Sequence, residues 1–193
     1  MTDKLSIDGK TTALLVMDFQ TLIVDGHATD KQALLDRMTR LLEAARGARM
    51  MVIYVVVGFR MGFPEVSANN MSFRGIRETG RFAHDDAGTG VHPALAPRLA
   101  EPVVTKHRVS AFAGTDLDMI LRANGIETLL LTGIATSGVI LSTLRHAADA
   151  DYRLFVVGDG CSDGDAEVHR VLIEKVFPRQ ATVVSADEII GAL

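Results

Sequence analysis

The sequence predicts an α/β protein: a three-layer α/β/α sandwich around a central, mainly parallel sheet of about six strands. The first observation behind this prediction is a series of short apolar runs rich in β-branched residues. The second is the helical periodicity of most segments between them. Strands that are apolar throughout suit a parallel sheet that helices cover on both faces. Right-handed crossovers then place the helices in the two outer layers.

Six runs are the predicted strands, and they cover residues 12–19, 51–57, 102–106, 128–133, 153–159 and 181–186. Helices are predicted at 34–45, 117–121, 139–150 and 166–176. The first of these helices is amphipathic, because its apolar residues recur at i, i+3, i+4 and i+7. They are Leu34, Leu35, Met38, Leu41, Leu42 and Ala45.

The segment 58–100 interrupts this alternation with many Gly, Pro, Asn and charged residues. Because long irregular segments in compact domains are usually functional or mobile, we expect either an excursion with short helices or a lid over a site. No repeat and no linker divides the chain. We therefore predict a single domain over residues 1–193, with an insertion at about residues 58–100.

The composition favours a small molecule as partner. The formal charge is −4, from 20 basic and 24 acidic residues spread along the chain, so we expect neither nucleic acid nor a membrane as partner. The first residues are polar, and no apolar run approaches the ~18 residues that a membrane span requires; we expect a cytoplasmic protein. Any thiol chemistry must use Cys161, the one cysteine.

Polar residues stand at the predicted carboxyl ends of strands, where open parallel sheets bind ligands. Asp18 ends the first strand, Lys106 ends the third, and Thr136 with Ser137 begins the helix after the fourth. Solvated or salt-bridged charges and helix capping are the ordinary alternatives. The position of all these residues at one edge of the sheet favours an active site, because a carboxylate and an ammonium in a partly dry cleft form a positioned acid–base pair.

These residues lie in motifs by which the chain resembles the isochorismatase-like hydrolases. The motifs are VMDFQ at 16–20, the stretch 103–147 with its SAF-x-GT-x-L pattern and GIAT turn, and RLFVVGDGCSD at 153–163. The resemblance extends from residue 12 to about residue 188 and implies a hydrolase. In that family, the aspartate matched by Asp18 is the general base, the lysine matched by Lys106 assists it, and a cysteine after the fourth strand attacks an amide or similar carbonyl.

The resemblance places Val139 at the position of that nucleophilic cysteine. Valine cannot attack a carbonyl, so the family's amidase mechanism does not carry over. Isochorismatase lacks the cysteine and uses its aspartate as an acid on a vinyl ether, which is a precedent for another chemistry. The resemblance also implies a cis peptide bond next to Ile134 or Ala135, which would direct backbone N–H groups at a substrate oxygen. The expected substrate contacts of this turn are Ile134, Ala135, Thr136, Ser137 and Gly138.

Three further residues, Phe19, Gln20 and Phe112, are candidates for substrate contacts. With Phe59 and Phe63, the two phenylalanines would form an apolar wall, and Gln20 would hydrogen-bond a polar substrate; core packing is the alternative for each phenylalanine. One arginine of the insertion would hold a substrate carboxylate, unless these side chains are solvated or paired. The arginines are Arg60, Arg74, Arg77 and Arg81.

We expect no cofactor and no metal. The nicotinamidases among these relatives hold a metal through an Asp-x-His pair after the second strand, and this chain has neither residue there. The histidines show no ligand spacing such as H-x-x-x-H. They are His27, His84, His92, His107, His146 and His169.

Three hypotheses on function remain open. The first is a hydrolase in which Asp18 and Lys106 perform acid–base chemistry on a small molecule, at a C–N or vinyl-ether bond, without a thiol. The second is a cysteine amidase that uses Cys161, which follows the fifth strand. The third is a catalytically degenerate member that binds a metabolite. The resemblance further implies a homodimer or homotetramer.

Overall fold

The computed structural model describes residues 5–83 and 86–193. Its centre is a six-stranded sheet in which all neighbouring strands run parallel. The strands are β1 (Thr12–Met17), β2 (Met51–Val57), β3 (Val103–Lys106), β4 (Thr128–Ile134), β5 (Arg153–Ser162) and β6 (Thr182–Val184). Their order across the sheet is β3-β2-β1-β4-β5-β6.

Seven α-helices accompany the sheet in the described residues. They are α1 (Thr21–His27), α2 (Lys31–Gly47), α3 (Met71–Thr79), α4 (Leu117–Ala123), α5 (Leu141–Asp149), α6 (Ala166–Val171) and α7 (Ala186–Ala192). No helix in this part of the chain combines the length and apolarity needed to cross a membrane.

The side chains of β1 show why the sheet needs cover on both faces. Leu15 and Met17 belong to an apolar cluster with α4 and α5, whereas Leu14 and Val16 belong to a second cluster with α2 and α7. All six residues of β1 are buried, since this strand lies in the middle of the sheet. The predicted three-layer α/β fold is therefore confirmed.

Several ends of predicted elements differ from the structure; the strand predicted at 12–19, for example, ends at Met17. The strand predicted at 181–186 ends at Val184, because Ser185 caps α7: its hydroxyl accepts from the N–H of Glu188 at 3.2 Å, and the Glu188 carboxylate accepts from the Ser185 N–H at 2.7 Å. The strand predicted at 153–159 continues to Ser162. Helices α1, α3 and α7 were not predicted.

The insertion at 58–100 is an excursion with short helices. Its described residues include α3 and a 3₁₀ turn at Pro93–Leu95. Its apolar side chains form a small third cluster against Val57, the last residue of β2. Members of the cluster within the insertion are Phe59, Phe63, Val66, Phe73 and Phe82. The insertion thus packs beside the carboxyl ends of the strands, the edge at which a ligand is expected.

Candidate active site

A cavity of about 210 Å³ lies at the carboxyl ends of β1 and β4. The strand order reverses between these strands, with β2 and β3 continuing on one side and β5 and β6 on the other. Crossover connections leave a crevice at such a point, and open α/β sheets bind ligands there. Asp18, directly after β1, and Ile134, the last residue of β4, both line the cavity.

Asp18 and Lys106 form a buried ion pair in this cavity. The Nζ atom of Lys106 lies 2.9 Å from Oδ2 of Asp18 and also donates to the carbonyl oxygen of Arg108 at 3.2 Å. Asp18 is 5% exposed and Lys106 is 3% exposed. The second carboxyl oxygen, Oδ1 of Asp18, is buried and accepts no hydrogen bond from the described residues. The lysine therefore holds one carboxyl oxygen and leaves the other without a protein donor.

Burial changes the acidity of this pair. It raises the pKa of Asp18 above its ordinary value of 3.8; the charge and hydrogen bond of Lys106, and to a smaller extent the nearby backbone N–H of Val57, reverse only part of the increase. A carboxyl group with a raised pKa keeps its proton more readily than an exposed aspartate does. Asp18 is therefore suited to donating a proton to a bound molecule, with Lys106 placed to stabilise the carboxylate that remains.

The turn after β4 forms the opposite wall. The peptide bond between Ile134 and Ala135 is cis, as predicted, and Thr136–Ile140 form a π-helical turn that leads into α5. Ala135, Gly138 and Val139 line the cavity together with Ile134. Val139, at 2% exposed, presents no group that could act as a nucleophile.

Close contact between β4 and β1 brings this turn to Asp18. Gly133 pairs with Met17 in the parallel register, and a Cβ atom at Gly133 would lie 2.5 Å from the Met17 carbonyl oxygen. Only glycine fits such an approach of two backbones. The glycine of the GIAT motif therefore has a structural reason that is separate from any chemistry.

Hydrogen bonds from β5 and α6 fix the turn in place. The Thr136 hydroxyl lies 3.1 Å from the Ser162 carbonyl oxygen and 2.8 Å from Nδ1 of His169. Because a hydroxyl has one proton and donates it to the carbonyl, Nδ1 of His169 must carry a proton and donate to Thr136. The backbone N–H of Ser137 donates to the Asp163 carboxylate at 2.7 Å.

Two backbone donors of the turn are already engaged within the protein. The Ser137 N–H binds Asp163, and the Gly138 N–H donates to the Ala135 carbonyl oxygen at 3.1 Å. Neither is free for a substrate oxygen. Thr136 and Ser137 do not line the cavity: Thr136 is fully buried and hydrogen-bonded, and Ser137 is exposed, so their contact with a substrate stays a prediction.

Phe19, Gln20 and Phe112 lie outside the lining of this cavity, and their contact with a substrate stays a prediction. Phe19 packs in the cluster with α2. Phe112 packs on the opposite face, where its ring stacks on His146 with centroids 4.7 Å apart. Phe59 and Phe63 lie in the cluster of the insertion.

Gln20 joins three parts of the backbone rather than meeting a substrate. Its Oε1 atom accepts from the Val57 N–H at 2.8 Å, while Nε2 donates to the carbonyl oxygens of Val57 at 2.9 Å and Thr89 at 2.6 Å. The side chain is fully buried. Its amide group is thus used to connect the end of β1 to β2 and to the insertion.

Cys161 lies away from the cavity, in the apolar cluster with α5. Its Sγ atom is 3.9 Å from the Leu131 carbonyl oxygen. Burial raises the pKa of the thiol to about 12, so the reactive thiolate is scarce at neutral pH. These observations disfavour Cys161 as a nucleophile.

The insertion supplies walls that the sequence analysis missed. Phe73 and Ile76 come from α3, and Phe82 follows α3 in the chain. The remaining missed residues are Ile23, His27, Val57 and Val109. The sequence does contain one indication of α3: Phe73 and Ile76 are apolar residues at i and i+3, shortly after Asn70. Asn70 caps the helix, since its side chain accepts from the Phe73 N–H at 3.2 Å.

The arginines of the insertion are engaged elsewhere. Arg60 pairs with Glu65, and Arg74 lies 3.9 Å from Glu78. Arg77 donates to the Val66 carbonyl oxygen at 3.3 Å, and the Arg81 guanidinium lies 6.0 Å from the centre of the Phe82 ring. None of the four lines the cavity that contains Asp18.

A larger cavity of about 510 Å³ adjoins the first one and shares Val57 and Phe82 with it. Arg60 and His107 are among its lining residues, whereas Asp18, Lys106 and Val139 are not. The smaller cavity therefore carries the acid–base pair. Within residues 5–83 and 86–193, no three His, Cys, Asp or Glu side chains are grouped as a metal site requires; His84 lies outside the described residues.

Comparison with known proteins places the chain in a family. Residues 12–188 match the family described as the isochorismatase domain. The chain is 31% identical over 194 residues to the uncharacterized isochorismatase family protein YecD of Escherichia coli O157:H7, across 98% of this chain and 100% of YecD. The chain belongs to the isochorismatase family of hydrolases, as the sequence predicted.

Two further comparisons concern an amidohydrolase and a solved structure of the same fold. The chain is 29% identical over 212 residues to the ureidoacrylate amidohydrolase RutB of Stutzerimonas stutzeri, across 98% of this chain and 81% of RutB. It is also similar to the crystal structure of a cysteine hydrolase from Pseudomonas syringae pv. phaseolicola, with a TM-score of 0.89 over 100% of this chain and 98% of that one. Sequence identity to the latter is 23%, so this likeness concerns the fold alone.

Proposed function

We propose that this protein hydrolyses a bond in a small molecule by acid–base chemistry of Asp18 and Lys106, with water rather than a thiol as nucleophile. The observation that carries the proposal is the carboxyl group of Asp18. One oxygen is held by Lys106 at 2.9 Å, and the other is buried with no donor among the described residues, in a cavity otherwise lined mainly by apolar side chains.

Asp18 is the proton donor in this proposal. Burial raises its pKa, which favours the protonated form, and a substrate group beside Oδ1 would receive the proton. The resulting carboxylate would stand next to the Lys106 ammonium, and the attraction between them offsets part of the cost of forming a charge in a dry site. In the second half of the reaction, the carboxylate recovers a proton from the attacking water.

Val139 distinguishes this site from that of a cysteine hydrolase. The resemblance places it where the family has its nucleophile, and its side chain lines the cavity. We propose that no covalent thioester forms, since the cavity wall offers an isopropyl group and the buried Cys161 lies outside the cavity.

Two bonds fit this chemistry. In a vinyl ether, the Asp18 proton adds to the terminal alkene carbon, water adds to the ether-bearing carbon, and collapse of the hemiketal breaks the C–O bond to give a carbonyl compound and an alcohol. In an amide, water adds to the carbonyl carbon, the proton passes to nitrogen, and the C–N bond breaks to release an amine or ammonia. The similarity to the ureidoacrylate amidohydrolase RutB supports the C–N bond.

The test is a parallel assay of ammonia release from small carboxamides and of carbonyl release from vinyl ethers, including pyruvate from isochorismate. The wild-type protein, Asp18→Asn and Cys161→Ala are assayed side by side. We expect a product that Asp18→Asn fails to form and that Cys161→Ala still forms. Turnover that survives Asp18→Asn would contradict the proposal, as would turnover that Cys161→Ala abolishes.

A second candidate is a catalytically degenerate member that binds a metabolite, and the apolar Val139 at the nucleophile position favours it. This candidate predicts that a small ligand raises the melting temperature without being converted. Absence of product from a broad panel, together with such stabilisation, would support it over the hydrolase.

We further propose that the protein acts as a homodimer or homotetramer, as the resemblance implies. Light scattering coupled to size-exclusion chromatography gives the molar mass directly. A mass of about 20.8 kDa, that of one chain, would contradict this.

A further inference from the structure

We propose that this site selects neutral, predominantly apolar substrates and rejects molecules that must bury a carboxylate in it. The inference rests on the proposed function only in placing the substrate in the cavity beside Asp18. It concerns the class of substrate and not the bond that is broken.

The lining of the cavity is the first reason. Apart from Asp18, Lys106, His27 and Gly138, its described residues are apolar, and His27 is an exposed residue. The apolar residues are Ile23, Val57, Phe73, Ile76, Phe82, Val109, Ile134, Ala135 and Val139. At about 210 Å³, the cavity is smaller than the roughly 300–1,000 Å³ of sites for drug-sized ligands. It therefore suits a single ring or a short chain.

The state of Lys106 is the second reason. Its ammonium already donates to Asp18 at 2.9 Å and to the Arg108 carbonyl oxygen at 3.2 Å. When Asp18 is ionised, as in this ion pair, a substrate carboxylate would compete with it for this one cation, and two buried carboxylates beside a single lysine repel each other. A neutral amide or ether can approach Oδ1 of Asp18 without disturbing the pair.

The arginines are the third reason, because a bidentate clamp is the usual means of holding a carboxylate. Arg60 pairs with Glu65, Arg74 lies near Glu78, and Arg77 donates to the Val66 carbonyl oxygen. Arg81 is exposed, and its guanidinium lies 6.0 Å from the centre of the ring of Phe82, a wall residue. Among the described residues that line the cavity, Lys106 and His27 are the only basic side chains.

Benzamide and benzoate test this inference, since they have nearly the same shape and differ in charge. Their dissociation constants are measured by ligand-observed NMR with the full-length protein at pH 8.0, where histidine side chains are ordinarily uncharged. We expect benzamide to bind at least about tenfold more tightly than benzoate. Equal or tighter binding of benzoate, or no binding of benzamide, would overturn the inference.

Two variants link the selectivity to the cavity. Ile76→Lys adds a cation to its wall, and we expect it to improve benzoate binding about tenfold relative to benzamide. Met119→Lys adds the same charge at a residue that is 71% exposed and outside the cavity, and it is expected to leave the ratio unchanged. An equal effect of both variants would contradict the assignment of the selectivity to this cavity.

A third variant, Val109→Trp, fills the cavity from a partly buried position and is expected to abolish benzamide binding, with circular dichroism as the check on folding. Unchanged binding would overturn the inference.

Failure of the inference can be told apart from failure of the proposed function. Benzamide selectivity without product from any substrate contradicts only the proposed hydrolysis. Turnover that depends on Asp18 but prefers the carboxylate-bearing isochorismate to neutral substrates contradicts only the selectivity.

Discussion

Lys106 is the last residue of β3 and Asp18 follows β1; β2 lies between these strands in the sheet, and yet Nζ of the lysine lies 2.9 Å from Oδ2 of the aspartate. The lysine side chain thus extends past the end of β2. Asp18 has a backbone φ of 58°, while its N–H still donates to the Val55 carbonyl oxygen at 2.8 Å. This left-handed conformation, which aspartate adopts more readily than most residues, occurs where the chain leaves β1 for the cavity.

Removing the lysine charge is predicted to raise the pKa of Asp18 further. Burial raises this pKa and Lys106 is the main group that lowers it, so in Lys106→Met little remains to oppose the effect of burial. The carboxyl titration is followed by carbon-detected NMR with labelled aspartate. Lys31→Met is the matched control, because Lys31 pairs with the exposed Asp25 at 2.7 Å. A titration of Asp18 that is unchanged or lower in Lys106→Met would contradict the account.

Asp18 is also predicted to make stability fall as pH rises. Its folded-state pKa lies above the unfolded value of 3.8, so protonation stabilises the fold fully below the unfolded pKa. That contribution is lost as pH rises through the folded-state pKa. Asp18→Asn has no such titration. The difference in unfolding free energy, wild type minus Asp18→Asn, should therefore decrease in urea titrations as pH rises from the unfolded pKa of 3.8 through the folded-state pKa.

Asp118→Asn is the control for this pH series. Asp118 is exposed, and the Arg122 guanidinium at 2.8 Å lowers its pKa below 3.8. Its contribution to stability is present above the unfolded pKa and is lost only as pH falls through the folded pKa. The difference in unfolding free energy, wild type minus Asp118→Asn, should therefore stay constant above pH 4.5. A rising difference for Asp18 would show that the ion pair, and not burial, dominates its pKa.

The Thr136 hydroxyl is predicted to stabilise the turn that carries Val139. Thr136→Val keeps the shape but leaves the Ser162 carbonyl oxygen and Nδ1 of His169 without this partner, at a cost of about 1–3 kcal/mol. Thr136→Ser keeps the hydroxyl and should cost less. Urea denaturation measures both variants. If Thr136→Ser proved as destabilising as Thr136→Val, the hydrogen bonds would not be the source of the effect.

A thiol at position 161 and a thiol at position 139 are predicted to differ in their reactivity towards an alkylating reagent. Iodoacetamide should leave Cys161 of the native wild type unlabelled, because the thiol is buried and its pKa is raised to about 12. Val139→Cys places a thiol on the cavity wall and should be labelled at that residue alone, as peptide mass spectrometry would show. Denatured protein, labelled at both cysteines, is the control. Labelling of native Cys161 would be evidence against its burial.

Much of the fold could be predicted from the sequence because parallel strands are apolar throughout. The six strands were found in this way, and α2 was found from its apolar stripe. Helix α7 was missed although Ser185 and Glu188 form a capping box, a signal that is readable from sequence. Helix α3 was also missed, although Asn70 caps it and Phe73 and Ile76 stand at i and i+3.

The candidate site was predictable where strand ends define it. Strand order and the resemblance to the family point to six residues that line the cavity: Asp18, Lys106, Ile134, Ala135, Gly138 and Val139. Phe112 and Gln20 lie outside the cavity lining, because the direction of a side chain after a strand depends on backbone angles that the sequence does not reveal. Phe82 belongs to the wall through tertiary packing of the insertion, and no local pattern marks it.

The most direct test of the central claim compares kcat/KM of the wild type, Asp18→Asn and Cys161→Ala on a neutral carboxamide or vinyl ether that the protein converts. The account predicts a loss of about 10²–10⁴-fold for Asp18→Asn. Cys161→Ala should stay within about threefold of the wild type, because Cys161 touches neither the cavity nor the acid–base pair. A loss for Cys161→Ala as large as that for Asp18→Asn would contradict hydrolysis without a thiol.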